Sequence, residues 1–314
     1  MACRTPIEAW RSTKPNDNGK YPLLFNRRKG QQDDPYLIPC KRCMGCRIDL
    51  ARDWSVRCVH EASLYKYNSF ITVTYDDDNI DPNHNLVVAD FQRFIKRLRD
   101  RVSPRRIRYF ACGEYGDPKN NMPWIESNLG RPHFHAILFN YQFSDLKKVA
   151  QNKHGDWRYS SEKLTEIWTH GNTEVGDVNT RSAGYVARYT TKKIRGDMAA
   201  DHYIRTDVRT GEMHQLKPET ILCSKHPAIG IPWLEKFKES CRKGFHTIEG
   251  KKYPIPVAYM EKLQEIDEPL HQYLKEIRRQ NAPDIMRDEE FQANRLQTKK
   301  AIDDRKLKKL AIRS

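Results

Sequence analysis

The chain has 314 residues, enough for one sizeable domain with appendages or for two domains. It is 38% hydrophobic and 31% charged, and its 56 Lys and Arg against 41 Asp and Glu leave a net charge of +15, an excess that attracts polyanions, nucleic acid foremost. The first residues lack the apolar core of a signal peptide and no stretch approaches the ~20 apolar residues of a membrane span, so a cytosolic protein without membrane partners is expected, its eight cysteines present as reduced thiols or metal ligands.

In chain order, residues 1–39 are polar, rich in Pro, Asn, Gly and Asp, and read as irregular. A helix is predicted from the cysteine run at 40–46 to about residue 65, with Leu50, Ala51, Trp54, Cys58, Ala62 and Tyr65 on one stripe. Residues 69–75 are dense in β-branched and aromatic side chains and predict a strand. Asp90 is the expected N-cap of a helix carrying Phe91, Phe94, Ile95, Leu98 and Val102 on one face. Strands are predicted at 106–115, 131–139 and 173–178, and helices at 144–152, 161–168, 182–193 and 257–280. The last thirty residues are charged and helix-prone, and are expected to be mobile or to depend on a partner.

Three groups of residues carry chemistry. On the strand 131–139, alternation places His133 and His135 on one face with Ile137 and Phe139, and Phe134, Ala136 and Leu138 on the other, as in a strand covered on both sides. Two imidazoles at i and i+2 can chelate one cation. If the strand 106–115 pairs antiparallel with it, Glu114 lies beside them, and two nitrogens with one carboxylate suit Mg²⁺ or Mn²⁺ acting on a phosphate. Tyr185 and Tyr189 are neighbours one helical turn apart, with Lys192 on roughly the same face. A free phenol has a pKa of about 10, so attack on phosphorus needs a metal on the phosphate and a lysine to offset charge. Cys40, Cys43 and Cys46 follow C-x₂-C-x₂-C and need a fourth partner for a tetrahedral zinc site. Cys3, Cys58 and His60 are the candidates; Cys3 is favoured because a zinc there pins the first forty residues. An iron–sulfur cluster and free thiols are the alternatives.

These motifs, in this order, resemble the HUH endonucleases that initiate rolling-circle replication, and more closely those of the Microviridae, small single-stranded-DNA phages of the gokushovirus branch. The stretches that carry the resemblance are Cys40-Lys-Arg-Cys43-Met-Gly-Cys46-Arg47, Phe70-Ile-Thr-Val-Thr-Tyr75, Gly113-Glu114-Tyr115-Gly116, Gly130-Arg-Pro-His133-Phe-His135 and Tyr185-Val-Ala-Arg-Tyr189-Thr-Thr-Lys192-Lys193. The resemblance implies an α+β fold whose RRM/ferredoxin-like core is a five-stranded antiparallel sheet flanked by helices. It implies a metal on His133, His135 and Glu114, although 18 residues separate Glu114 from His133. It implies that Tyr185 or Tyr189 attacks a DNA phosphate, leaving a 5′-phosphotyrosine and a 3′-OH for the host polymerase, inside the bacterial cytoplasm.

The expected organisation is a Cys-rich segment and helix at 1–66, the endonuclease core at 67–195, an irregular extension at 196–256 and a helical basic region at 257–314. Arg131 and Lys193, close to the site, and Arg93 and Arg97 on the 90–102 helix are candidate contacts for single-stranded and origin DNA. No Gly-x₄-Gly-Lys-Ser/Thr run occurs, so helicase activity is expected from the host. Two competing readings are a noncatalytic nucleic-acid-binding protein with an RRM-like sheet, which leaves the tyrosine helix idle, and a relaxase or transposase of the same chemistry.

Overall fold

The computed structural model describes residues 3–120, 123–127, 129–152, 155–189, 198–281 and 293–311. The chain is α+β, and its contacts divide it into two units, residues 1–50 with 279–314, and residues 51–278. No helix among the described residues is long and apolar enough to cross a membrane.

In the first unit, β1 (Ile7–Ser12) pairs antiparallel with β2 (Leu23–Leu24) and with β3 (Gly30–Ile38). The expectation of irregular structure up to residue 39 is therefore corrected. The segment has too few apolar side chains to show an alternating pattern. Its strands exist because distant segments satisfy one another's backbone groups, and Ala9 and Trp10 are buried beneath them. α1 (Met44–Ser63) begins at the cysteine run and continues into the second unit.

The second unit is built on a sheet that, among the described residues, has seven strands rather than the expected five. In chain order these are β4 (Asn68–Thr74), β5 (Arg108–Tyr115), β7 (Pro132–Phe139), β8 (Lys147–Gln151), β9 (Trp157–Ser160), β10 (Thr173–Gly176) and β13 (Thr220–Cys223). The spatial order is β13-β5-β7-β4-β10-β9-β8, and every neighbouring pair is antiparallel. The helix predicted at 144–152 is instead the edge strand β8. Leu146, Val149 and Ala150 have helical spacing, but pairing with β9 overrides it and leaves Val149 exposed. The added strand at the opposite edge, β13, comes from a stretch without periodicity. β6 (Ile125–Glu126), β11 (Ile204–Asp207) and β12 (Met213–Gln215) form a separate small sheet.

β7 is central, and its alternation decides the layers. Phe134, Ala136 and Leu138 pack against Phe91, Phe94, Ile95 and Leu98 of α2 (Val88–Val102) and Leu164, Ile167 and Trp168 of α3 (Glu162–Trp168). Ile137 and Phe139 face the other way, with Phe110, Cys112, Cys58 of α1, and Ala183 and Val186 of α4 (Thr180–Tyr189). Each fully buried side chain of this size contributes about 1.5–3 kcal/mol, and the two-sided burial locks the strand register that the histidines depend on. Asp90 is not the α2 N-cap; Val87 is. Asp90 sits in the first turn, where its buried carboxylate complements the helix dipole and accepts from the Tyr75 hydroxyl at 2.9 Å and from Arg93.

α5 (Met198–His202), α6 (Ile231–Phe237), the hairpin β14 (Phe245–Ile248)–β15 (Lys251–Pro254), α7 (Val257–Ile266) and α8 (Glu268–Gln280) complete the second unit, and α9 (Ala293–Ala311) lies in the first. The single helix expected at 257–280 is split at Asp267, whose carboxylate accepts from the Leu270 amide at 3.1 Å and so starts a new helix. Around α6 and α7, His60 stacks on Trp233 and its Nδ1 lies 3.1 Å from the Tyr259 hydroxyl.

Burial lowers the pKa of His60 to about 3 and those of His246 and His84 to about 4, against an ordinary 6.5. These rings are neutral in the fold and protonate more readily in the unfolded chain. Their stabilising contribution is full above pH 6.5 and is lost as pH falls through the folded values. Melting temperature should therefore drop steeply from pH 6.5 to about 4, less so in His246→Gln. A flat profile across that window in the wild-type protein would contradict this.

Candidate metal centre and tyrosine helix

Register creates the first site. In the β5–β7 pair, Glu114 stands opposite His133 and Cys112 opposite His135. The intervening excursion leaves this pairing intact because the backbone closes tightly behind it. Gly116 N–H donates to the Arg131 carbonyl and Gly130 N–H to the Gly116 carbonyl, both at 3.0 Å. Position 130 must be glycine, since a Cβ there would lie 2.2 Å from the Asp117 carbonyl oxygen.

The side chains converge on one point. Glu114 Oε1 lies 2.8 Å from His133 Nε2 and 3.1 Å from His135 Nε2, and the two nitrogens are 3.2 Å apart. Glu114 and His135 are buried and His133 half-buried. The far side of each ring is also engaged. His133 Nδ1 lies 3.1 Å from the Arg131 carbonyl, which can only accept, so this nitrogen carries the hydrogen. In the neutral ring, Nε2 then aims a lone pair at the carboxylate oxygen, an arrangement that a proton or a cation between them makes favourable. His135 Nδ1 lies 2.9 Å from Thr72 Oγ1 on β4, and its ring stacks on Phe70. Burial alone would raise the Glu114 pKa, but hydrogen bonds from His133 and His135 reverse this and hold the carboxyl far below its usual range. A buried anionic oxygen and two oriented imidazole nitrogens are a donor set for a divalent cation, with ring orientation fixed from behind.

The tyrosine helix begins at a reciprocal cap. Asn179 Oδ1 accepts from the Ser182 amide at 2.9 Å and Ser182 Oγ accepts from the Asn179 amide at 2.7 Å. Ala183 and Val186 lie in the cluster that contains Ile137 and Phe139, so α4 covers the sheet face that bears the histidines. Tyr185 and Tyr189 lie on α4, but their side chains are outside the described residues, as are Lys192 and Lys193 altogether.

A second cluster forms in the first unit. The Sγ atoms of Cys3, Cys40, Cys43 and Cys46 all lie within 4.8 Å of one another, a set that can also hold a metal. Of the candidate fourth partners, Cys3 is the one brought to the other three. Cys58 is buried beside Phe110 and Ile137, and His60 is stacked on Trp233.

Residues 68–194, from β4 through the tyrosine helix, match the family model of the replication-associated protein ORF2. The chain is 32% identical over 271 residues to replication-associated protein VP4 of Bdellovibrio phage phiMH2K, covering 83% of this chain and 76% of that one. It is 30% identical to replication-associated protein ORF2 of Spiroplasma virus 4, over 98% of this chain and 94% of the relative. It is 32% identical to replication-associated protein ORF4 of Chlamydia phage 1, over 50% and 39%. The chain belongs to the replication-associated proteins of the Microviridae. No solved structure matches it.

In this replication-associated protein the candidate DNA-contacting arginines already have intramolecular partners. Arg93 pairs with Asp90. Arg97 donates to the Ile167 and Trp168 carbonyls at 2.8 and 2.9 Å and so closes the end of α3. Arg131 pairs with Asp77 at 2.5 Å. Two residues at the site escape sequence reading. Thr72 is one of several strand threonines until the β4–β7 register sets it opposite His135. Arg205, buried on β11, donates to the Leu129 and Gly130 carbonyls at 2.8 and 3.1 Å, bracing the chain just before the histidines. Nothing in its local sequence marks it.

Proposed function

We propose that the chain is a replication initiator of the HUH type, a metal-dependent nickase and strand transferase acting at the origin of a small circular DNA in the bacterial cytoplasm. The observation that carries this reading is the convergence of Glu114 Oε1 with the Nε2 atoms of His133 and His135, on the sheet face that α4 covers. A Mg²⁺ or Mn²⁺ held by these three residues would polarise the scissile phosphate and offset its developing charge. Glu114, His133 and His135 leave further coordination positions for phosphate or water oxygen.

Tyr185 or Tyr189 supplies the nucleophile. Its phenolic oxygen loses its proton and bonds to phosphorus while the P–O3′ bond breaks. The departing oxygen takes up a proton as a 3′-OH for the host polymerase, and the 5′-phosphate stays on the tyrosine. The phosphotyrosine is itself a phosphodiester, so attack by a later 3′-OH rejoins the strand without an external energy source. Lys192 offsets charge on the phenolate or phosphate. With two tyrosines, one holds the old end while the other cuts the regenerated origin. The +15 charge, with Lys193 near the nucleophiles, favours the DNA backbone, and a host helicase opens the duplex.

Chelated protein should bind a labelled single-stranded origin oligonucleotide but leave it uncut. Added Mn²⁺ or Mg²⁺ should restore cutting at one phosphodiester. Cutting that persists in excess chelator would exclude this reading.

A further inference from the structure

The proposed nicking chemistry leaves the four-cysteine cluster of the first unit unused. We propose that Cys3, Cys40, Cys43 and Cys46 hold a structural zinc ion as thiolates and that this ion clasps the N-terminal segment and the C-terminal helix α9 together.

Geometry and hydrogen bonding both support the site. A tetrahedral centre with Zn–S bonds of ~2.3 Å places its sulfurs roughly 3.8 Å apart, and Cys43 Sγ lies 3.8 Å from Cys3 Sγ. That separation is far beyond a disulfide bond of about 2.05 Å. The backbone around Cys40 folds as a knuckle. Lys41 adopts a left-handed conformation with φ of 58°, which turns the Arg42 and Cys43 amides toward Cys40 Sγ at 3.5 and 3.3 Å. The Thr5 hydroxyl donates to the same sulfur at 3.1 Å, the Cys40 amide to Cys3 Sγ at 3.3 Å, and the Arg4 amide to Cys43 Sγ at 3.2 Å. Donors aimed at three of the four sulfurs suit thiolates, which are strong acceptors, better than thiols. Burial opposes ionisation of Cys40, yet the bonds from Thr5 and the Cys43 and Arg42 amides bring its pKa down to about 6. Burial and the neighbouring Cys3 and Cys43 sulfurs push Cys46 upward instead. Four thiolates this close repel one another, and a divalent cation removes that cost.

The cluster also has something to hold. Arg4, whose amide bonds Cys43 Sγ, sends its guanidinium to Asp303 on α9 at 2.8 Å. Leu296 of the same helix is buried. Cys3 and Arg4 are adjacent, so an ion that ties Cys3 to Cys40, Cys43 and Cys46 also fixes the arginine that grips α9.

The test uses the full chain purified under reducing conditions. Elemental analysis should find about one zinc per chain, as four thiolate ligands require. Cys43→Ser should fall below about half an equivalent, while Cys223→Ser, outside the cluster, should keep its zinc. Cobalt exchanged into the wild-type protein should show intense thiolate-to-metal charge-transfer absorption, which the His133–His135–Glu114 set cannot produce. Removing zinc should speed tryptic cleavage within α9 several-fold. Zinc below half an equivalent and unchanged in Cys43→Ser, native disulfides among these cysteines, or the visible absorption of an iron–sulfide cluster would each overturn the proposal. If Cys43→Ser does not fold, the wild-type cobalt spectrum decides, and absence of the charge-transfer band overturns it.

Discussion

His135→Ala should abolish metal-dependent cleavage while leaving oligonucleotide binding within about twofold of wild type. His135 is buried, its Nε2 faces Glu114 Oε1 at 3.1 Å and its ring is fixed from behind by Thr72. Removing it leaves two donors, too few to hold a weakly bound hard cation in one place. A metal on the scissile phosphate supplies several kcal/mol of transition-state stabilisation. At about 1.36 kcal/mol per decade, single-turnover cleavage should fall by roughly three orders of magnitude. Binding should survive because basic side chains elsewhere neutralise the DNA backbone. Thr72→Val keeps the ligands but removes the bond behind His135, and should weaken Mn²⁺ affinity by about 10–100-fold. Calorimetric Mn²⁺ titration separates the two variants. Near-normal cleavage by His135→Ala would remove the metal centre from the account.

The second large effect concerns stability. Glu61 on α1 is fully buried, and its two oxygens organise three elements. Oε1 accepts from Arg108 on β5 at 2.6 Å and from the Tyr65 hydroxyl at 3.3 Å, and Oε2 accepts from the Gly230 amide at the start of α6 at 2.7 Å. Glu61→Ala strands the Arg108 guanidinium and the Gly230 amide away from water. Deleting one partner of a buried pair costs about 3–5 kcal/mol, a large part of a typical domain's stability. Urea unfolding should show a loss of that order, and Glu61→Gln, which keeps an acceptor, should lose less. A loss below about 1 kcal/mol would mean that water or relaxation satisfies Arg108.

The parts of the fold legible in the sequence are those in which local pattern and tertiary burial agree. The alternation of 131–139 separates Phe134, Ala136 and Leu138 from the histidine face, and both layers pack accordingly. Glu114 ends beside the histidines because the antiparallel β5–β7 pair has no slack, Gly130 allowing the chain to close behind an 18-residue separation. Where pairing is non-local, the pattern fails. β1, β3, β8 and β13 owe their extended conformation to distant partners, and polar or helix-spaced composition conceals them. Asp90 reads as a cap from its place before an apolar run, yet the buried Tyr75 hydroxyl draws its carboxylate into the first turn. Thr72 and Arg205 act through register and a long-range bond, which a linear reading does not contain.

The central claim is that a tyrosine of α4 becomes covalently joined to DNA. The direct measurement incubates the protein with Mn²⁺ and a 3′-labelled single-stranded origin oligonucleotide, then separates the products under denaturing conditions. Wild-type protein should carry label as a covalent adduct, Tyr185→Phe and Tyr189→Phe should each retain part of it, and the double variant should form none. An adduct of undiminished yield in the double variant would contradict the account.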